Sequence, residues 1–122
     1  MAMTTNERHA AYKMTPLGRA KVLLGHARRR AEARGGVCTV TAEQVASAIE
    51  SGHCQLSGLA FDLSPPSSTF RNPYSPSIDR IDPTNPSYTP ENTRIVLTWI
   101  NVALSDYGLE ASMPIIRALA GQ

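Results

Sequence analysis

The residues best suited to chemistry lie between Asn72 and Asn101, in the stretch NPYSPSIDRIDPTNPSYTPENTRIVLTWIN. Asp79 and Asp82 sit on a segment that alternates apolar and charged positions, and Asn92 and Asn101 follow it nine positions apart. A hard divalent cation such as Mg²⁺ prefers oxygen donors. It takes one or two of them from a protein and leaves the rest to phosphates and water. Asp79 and the side-chain oxygen of Asn101 would supply such a pair if the strand carrying one faced the helix carrying the other. Asp82 stands before a proline, so it fits a turn former of the Asx type as well as a carboxylate standing behind the metal ligands. Arg80 has two readings: an ion pair with Asp79 or Asp82, or a grip on phosphate. Asn92 would cap or turn the chain. Asn101 lies where a better helix former would be expected, which favours a ligand role.

Positioning these groups takes a strand, a turn, a second strand and a helix. Ser77 to Asp82 is expected to be a strand with Ile78 and Ile81 partly buried. Because the two isoleucines are three apart, a bulge or strand end is expected near Asp79. Thr89-Pro90-Glu91-Asn92 reads as a turn, Ile95 to Leu97 as an extended segment, and Trp99 to about Gly108 as a helix with Trp99 in the core. Upstream, Thr15-Pro16 is a helix start, a hydroxyl N-cap followed by proline at the first helical position. Leu17, Ala20, Leu24, Ala27 and Ala31 then recur at helical spacing until Gly35-Gly36. Val37 to Val40 reads as a short strand or extended link. Thr41 and Gln44 form a capping box for a second helix whose buried side is Val45, Ala46, Ala48 and Ile49, and Gly52 stops it. Leu59, Phe61 and Leu63 suggest a half-buried strand, and Ser64 to Pro76 a surface loop. Residues 109 to 122 suggest a last helix, with Pro114 in its first turns and Ile115, Ile116 and Leu119 facing the core. Residues 1 to 14 show no periodicity.

With 122 residues the chain suits one domain with one core. We divide it into an irregular start (1–14), a basic helical part (15–52), the central unit (53–108) and a C-terminal helix (109–122). The composition is that of an ordinary globular protein. No apolar run approaches the roughly 18 residues of a membrane span, and the N-terminus lacks the apolar core of a secretion signal, so a cytoplasmic location is expected. Cys38 and Cys54 are expected to be free thiols. The net charge of +2 conceals an asymmetry. Met1 to Gly36 holds eight basic and two acidic residues, and the remainder holds four basic and eight acidic ones. Arg19, Lys21, Arg28, Arg29, Arg30 and Arg34 form the basic arm, a candidate phosphate-binding surface beside an acidic, cation-attracting segment. The plainer reading of that arm is a solvated helix face. His9, His26 and His53 are isolated and lack partner spacing.

The central stretch resembles the HNH, or ββα-metal, nucleases, also called His-Me finger endonucleases, and among them the phage and prophage type with an Asp-Arg-Ile-Asp core. The resemblance rests on SIDRID (77–82), YTPEN (88–92) and WIN (99–101) in that order, on the nine-residue separation of Asn92 and Asn101, and on the lead-in CQLSGLAFDL (54–63). It covers about half of the chain strongly. It implies an α+β fold, a ββα-metal finger with basic N-terminal helices and a C-terminal helix. It also implies metal-dependent DNA cleavage with Mg²⁺ or Mn²⁺ held by Asp79 and Asn101, a loop-ordering Asn92, and a bacterial or phage-infected cell as the setting.

Two positions depart from that pattern. Arg80 stands where most members carry the histidine that activates water, and a guanidinium stays protonated at any working pH, so it can hold phosphate or stabilise charge but cannot act as a base. Tyr74, Tyr88, Asp82 and His53 are the remaining candidates for proton acceptor. Many relatives also brace the finger with four zinc-binding cysteines, which would fall at Cys54, Ser57, Leu97 and Ile100. Only Cys54 is present, so no structural zinc is expected, and Leu97 and Ile100 are expected to support the fold by apolar packing. The competing expectation is a degenerate finger that binds DNA or a protein partner without cutting.

Overall fold

The computed structural model describes residues 2–66 and 71–121; part of the expected loop, 67–70, lies outside them. The architecture is α+β. The described residues form α1 (Thr5–Lys13), α2 (Pro16–Ala33), α3 (Ala42–Glu50), β1 (Pro76–Arg80), a 3₁₀ turn (Pro90–Asn92), β2 (Thr93–Leu97), α4 (Thr98–Leu104) and α5 (Gly108–Leu119).

The local signals act where the sequence puts them. Thr15 caps α2 by accepting a hydrogen bond from the Gly18 N–H, and Thr41 and Gln44 close the capping box of α3 in both directions. Ala20, Leu24, Ala27 and Ala31 of α2 pack with Val45, Ala46 and Ile49 of α3. Leu17, expected on that stripe, lies in the first turn of α2 and is exposed. Residues 1–14 hold a helix where no periodicity was expected. Thr4 caps it through the Glu7 N–H, and its end lies against Gly18, where an added Cβ would come within 1.9 Å of the Tyr12 carbonyl oxygen. None of its residues is buried, which is why no apolar period announced it.

β1 and β2 pair antiparallel in regular register, Pro76 opposite Leu97 and Arg80 opposite Thr93; of the expected bulge or strand end near Asp79, it is the strand end that occurs. The strand ends at Arg80, so Ile81 leaves the sheet and is exposed. Side chains alternate across the pleat. Ile78 and Ile95, directly opposed, enter the core with α2 and α3. On the other face Ser77, Asp79 and their neighbours meet α4, whose Asn101 hydrogen bonds to Ser77.

Val37 to Val40 is no strand; it runs beside Ser87 and Tyr88 through a single parallel bridge at Cys38. The Tyr88 N–H donates to the Val37 carbonyl at 2.8 Å, and the Thr39 N–H returns a bond to Tyr88 at 2.9 Å. Gly36 makes this approach possible, since a Cβ there would meet the Pro86 carbonyl oxygen at 2.6 Å. Gly36→Ala is therefore expected to destabilise the protein by about 1–3 kcal/mol, read as a lower denaturation midpoint at unchanged slope.

Other expectations fail for want of a covering element. Leu59 to Leu63 makes one bridge among the described residues, His53 with Ala60, and no strand; Leu59 is exposed, while Phe61 and Leu63 are half-buried against the core as expected. Trp99 is 55% exposed rather than in the core. α5 begins at Gly108, one residue before the expected start, and holds Pro114 inside it at the end of its second turn. Ser112 is its only buried residue; Ile115 and Leu119, expected to face the core, are exposed. Among the described residues no helix is long and apolar enough to cross a membrane.

Candidate functional site

The open edge of β1, the start of the α4–α5 connection and the end of α2 enclose a cleft of about 200 Å³. Asp79 and Arg80 reach it from β1, Asn101 from α4, and Arg30 and Arg34 from α2. The structure thus brings Asp79 and Asn101 to one cleft, with two members of the basic arm beside them.

Asp79 is 5% exposed. Its Oδ2 accepts a 2.7 Å hydrogen bond from the Nε of Arg94, its direct cross-strand partner. Burial pushes the carboxyl above its ordinary range, and Arg94 offsets that only in part. Sequence reasoning missed Arg94. The signal was hairpin register, which sets position 94 opposite 79 once the strand ends are known.

Asn101 donates from Nδ2 to the Ser77 hydroxyl at 2.7 Å and to the Ile78 carbonyl at 3.0 Å. A carbonyl can only accept, so the amide nitrogen faces the strand. Its Oδ1 accepts no hydrogen bond among the described residues and stays available as an oxygen donor. A buried carboxylate and a free amide oxygen match the preference of Mg²⁺ or Mn²⁺ for one or two protein oxygens. Among the described residues no cluster of three or more His, Cys, Asp or Glu could hold an ion, so solvent and phosphate would complete the coordination.

Arg80 does not pair with Asp79 or Asp82. Its Nη1 donates to the carbonyls of Pro83 and Asn85 at 3.0 and 2.9 Å, and its Nη2 stands 3.5 Å from Asp106. The side chain is 10% exposed, so the guanidinium is built into the loop. Asp82 takes the turn role: its Oδ1 accepts from the N–H and hydroxyl of Thr84, bonds that hold its pKa below the usual carboxylate range. Asn92 is buried and braces the same loop. Its Oδ1 accepts from the Asp82 N–H at 2.8 Å, and its Nδ2 donates to the Ser87 carbonyl at 2.9 Å. Neither Asp82 nor Asn92 lines the cleft.

The basic arm divides. Arg30 donates from Nε to the Tyr88 hydroxyl at 3.0 Å, and Arg30 and Arg80 both lie within 6 Å of the Tyr88 ring centre. Arg34 is exposed at the rim. Arg19 is occupied elsewhere, donating to the carbonyls of Lys13 and Leu63. Lys21, Arg28 and Arg29 are exposed but do not line the cleft; helical periodicity turns them to other faces of α2. Arg71, outside the expected set, lines the cleft from the loop before β1. Of the four candidate proton acceptors only Tyr88 borders it. His53 lies beside the Ser51 carbonyl, Tyr74 beside Trp99 in a separate apolar groove, and Asp82 in its turn.

At the opposite end of the hairpin, Cys54, Leu97 and Ile100 pack in one apolar cluster with Val96, Leu56 and Phe61. The Ser57 N–H points at the Cys54 sulfur at 3.4 Å. With apolar contacts in place of ligands here, a chelator is expected to leave the melting temperature unchanged, and metal analysis to find less than one zinc per chain. A stoichiometric zinc whose removal lowers the melting temperature would contradict this account of the cluster.

Compared with family models, curated proteins and solved structures, the chain matches none of them.

Proposed function

We propose that this protein is a metal-dependent DNA endonuclease of the HNH, or ββα-metal, type, hydrolysing a phosphodiester in the cleft at the β1 edge. The observation that carries this reading is the convergence of Asp79 and the unpaired Oδ1 of Asn101 on a cleft that also holds Arg30, Arg34, Arg71 and Arg80. Oxygen donors for a hard cation and guanidiniums for phosphate are what a phosphodiester needs at one site. The order β1, turn, β2, α4 and the Asp-Arg-Ile-Asp resemblance support the same reading, and a phage or prophage setting is what that resemblance adds.

A Mg²⁺ or Mn²⁺ ion held by Asp79 and Asn101 would supply Lewis-acid charge against the scissile phosphate and its leaving oxygen. The chain's own residues do the rest. Arg34 and Arg71 hold the polyanion at the rim, and Asn92 fixes the loop that carries the Arg80 contacts. Arg80 contributes charge, not proton transfer, and the attacking water gives its proton to solvent or to another group.

A second reading, a DNA-binding module without cleavage, is favoured by one observation: both groups in the catalytic positions are already engaged, Asp79 by Arg94 and Arg80 by two carbonyls. Incubating supercoiled plasmid with the protein and Mg²⁺ or Mn²⁺ separates the two. Conversion to nicked circles that stops with EDTA supports the nuclease. Salt-sensitive binding with no nicking in either metal supports the module.

A further inference from the structure

We propose that Arg34 and Arg80 form a backbone-phosphate subsite beside the Asp79–Asn101 pair, and that Asp106 fills it with its own carboxylate in the free protein. Asp106 Oδ1 lies 3.5 Å from Arg80 Nη2 and 3.8 Å from Arg34 Nη1, and all three residues line the cleft that holds Asp79 and Asn101. The two sides of this contact differ in freedom. Arg80 is nearly buried, and its Nη1 is fixed by two carbonyls, so its orientation does not depend on Asp106. The Asp106 side chain is 72% exposed and makes no other hydrogen bond among the described residues. An exposed carboxylate at these distances is held weakly. A phosphodiester offers two oxygens to the same two guanidiniums and would displace it.

The backbone points the same way. Ser105, immediately before Asp106, is the only non-glycine residue with positive φ among the described residues, at +46°. Its strained turn carries the carboxylate to the arginines. Burial does not hold it there, since Ser105 and Asp106 are both exposed.

This inference rests on the reading of the cleft as a phosphodiester site and does not require cleavage. Its test is binding of a short fluorescent DNA duplex, followed by anisotropy in EDTA, to the full chain and four variants: Asp106→Asn, Arg34→Ala, the two combined, and Glu110→Gln. The last removes one negative charge away from this cleft. Asp106→Asn is expected to tighten binding about threefold more than Glu110→Gln does, and that gain is expected to shrink in the Arg34→Ala background, where only Arg80 is left to be freed. Equal gains from the two charge removals, or a gain undiminished without Arg34, would overturn the subsite and leave the proposed function standing. No binding by any of the proteins would overturn the subsite, while plasmid nicking in Mg²⁺ or Mn²⁺ decides the proposed function separately.

Discussion

Replacing Arg94 by methionine is expected to destabilise the fold by about 3–5 kcal/mol at neutral pH. The side chains of Asp79 and Arg94 are 6% and 12% exposed, so removing the guanidinium leaves a buried carboxylate without its partner. The pH dependence has a definite sign. Burial already raises the Asp79 carboxyl above its ordinary value in the folded protein, so the folded state holds its proton longer than the unfolded chain does. Such a group lowers stability as pH rises from the unfolded value, near 3.9, through the raised folded value, and has no further effect above it. Losing Arg94 raises the folded value further. The penalty should therefore be small near pH 4 and grow toward neutrality, as read from urea midpoints across that range. Adding Asp79→Leu to Arg94→Met should restore most of the loss, because an apolar pair needs no compensation. A change below about 1 kcal/mol at neutral pH, where exposed ion pairs fall, would mean that the pair is solvated.

The same contact dictates how the site itself is probed. Asp79→Ala would remove the proposed metal ligand and also strand Arg94 in a buried position, so a loss of activity could be a loss of fold. Asp79→Asn keeps an oxygen for the Arg94 Nε–H and removes the negative charge. It is expected to reduce metal-dependent nicking at least about 100-fold while circular dichroism stays unchanged and the melting temperature falls less than in Asp79→Ala, since Arg94 keeps a hydrogen-bond acceptor but loses its counter-ion. Nicking at the full rate in Asp79→Asn would remove Asp79 from the metal site.

What could be read from the sequence was whatever local chemistry determines. The caps at Thr15 and Thr41, the apolar spacing of α2 and α3 and the two short strands needed only neighbours a few residues away. The errors share one physical origin: coverage is decided by elements distant in the chain. Trp99, Ile115 and Leu119 have core-forming side chains, yet all three are exposed among the described residues. Helix α1 buries nothing, so it had no period to detect. The site divides in the same way. Asp79 and Asn101 could be named because their types and order are unusual for a strand and a helix. Arg94 could not, because its role depends on hairpin register, and Arg71 could not, because it comes from an irregular loop. Arg80 carried two plausible partners in sequence, Asp79 and Asp82, and contacts neither, since the strand ends at that residue and the chain turns beneath its guanidinium.

The most direct measurement of the central claim is the anomalous scattering of Mn²⁺ in crystals of the protein soaked with the ion. One manganese is expected in the β1-edge cleft, bound by Asp79 and by Oδ1 of Asn101, with Arg94 still on the second carboxylate oxygen. Manganese bound elsewhere, or crystals that take up none while Asp79 stays paired with Arg94 alone, would contradict it.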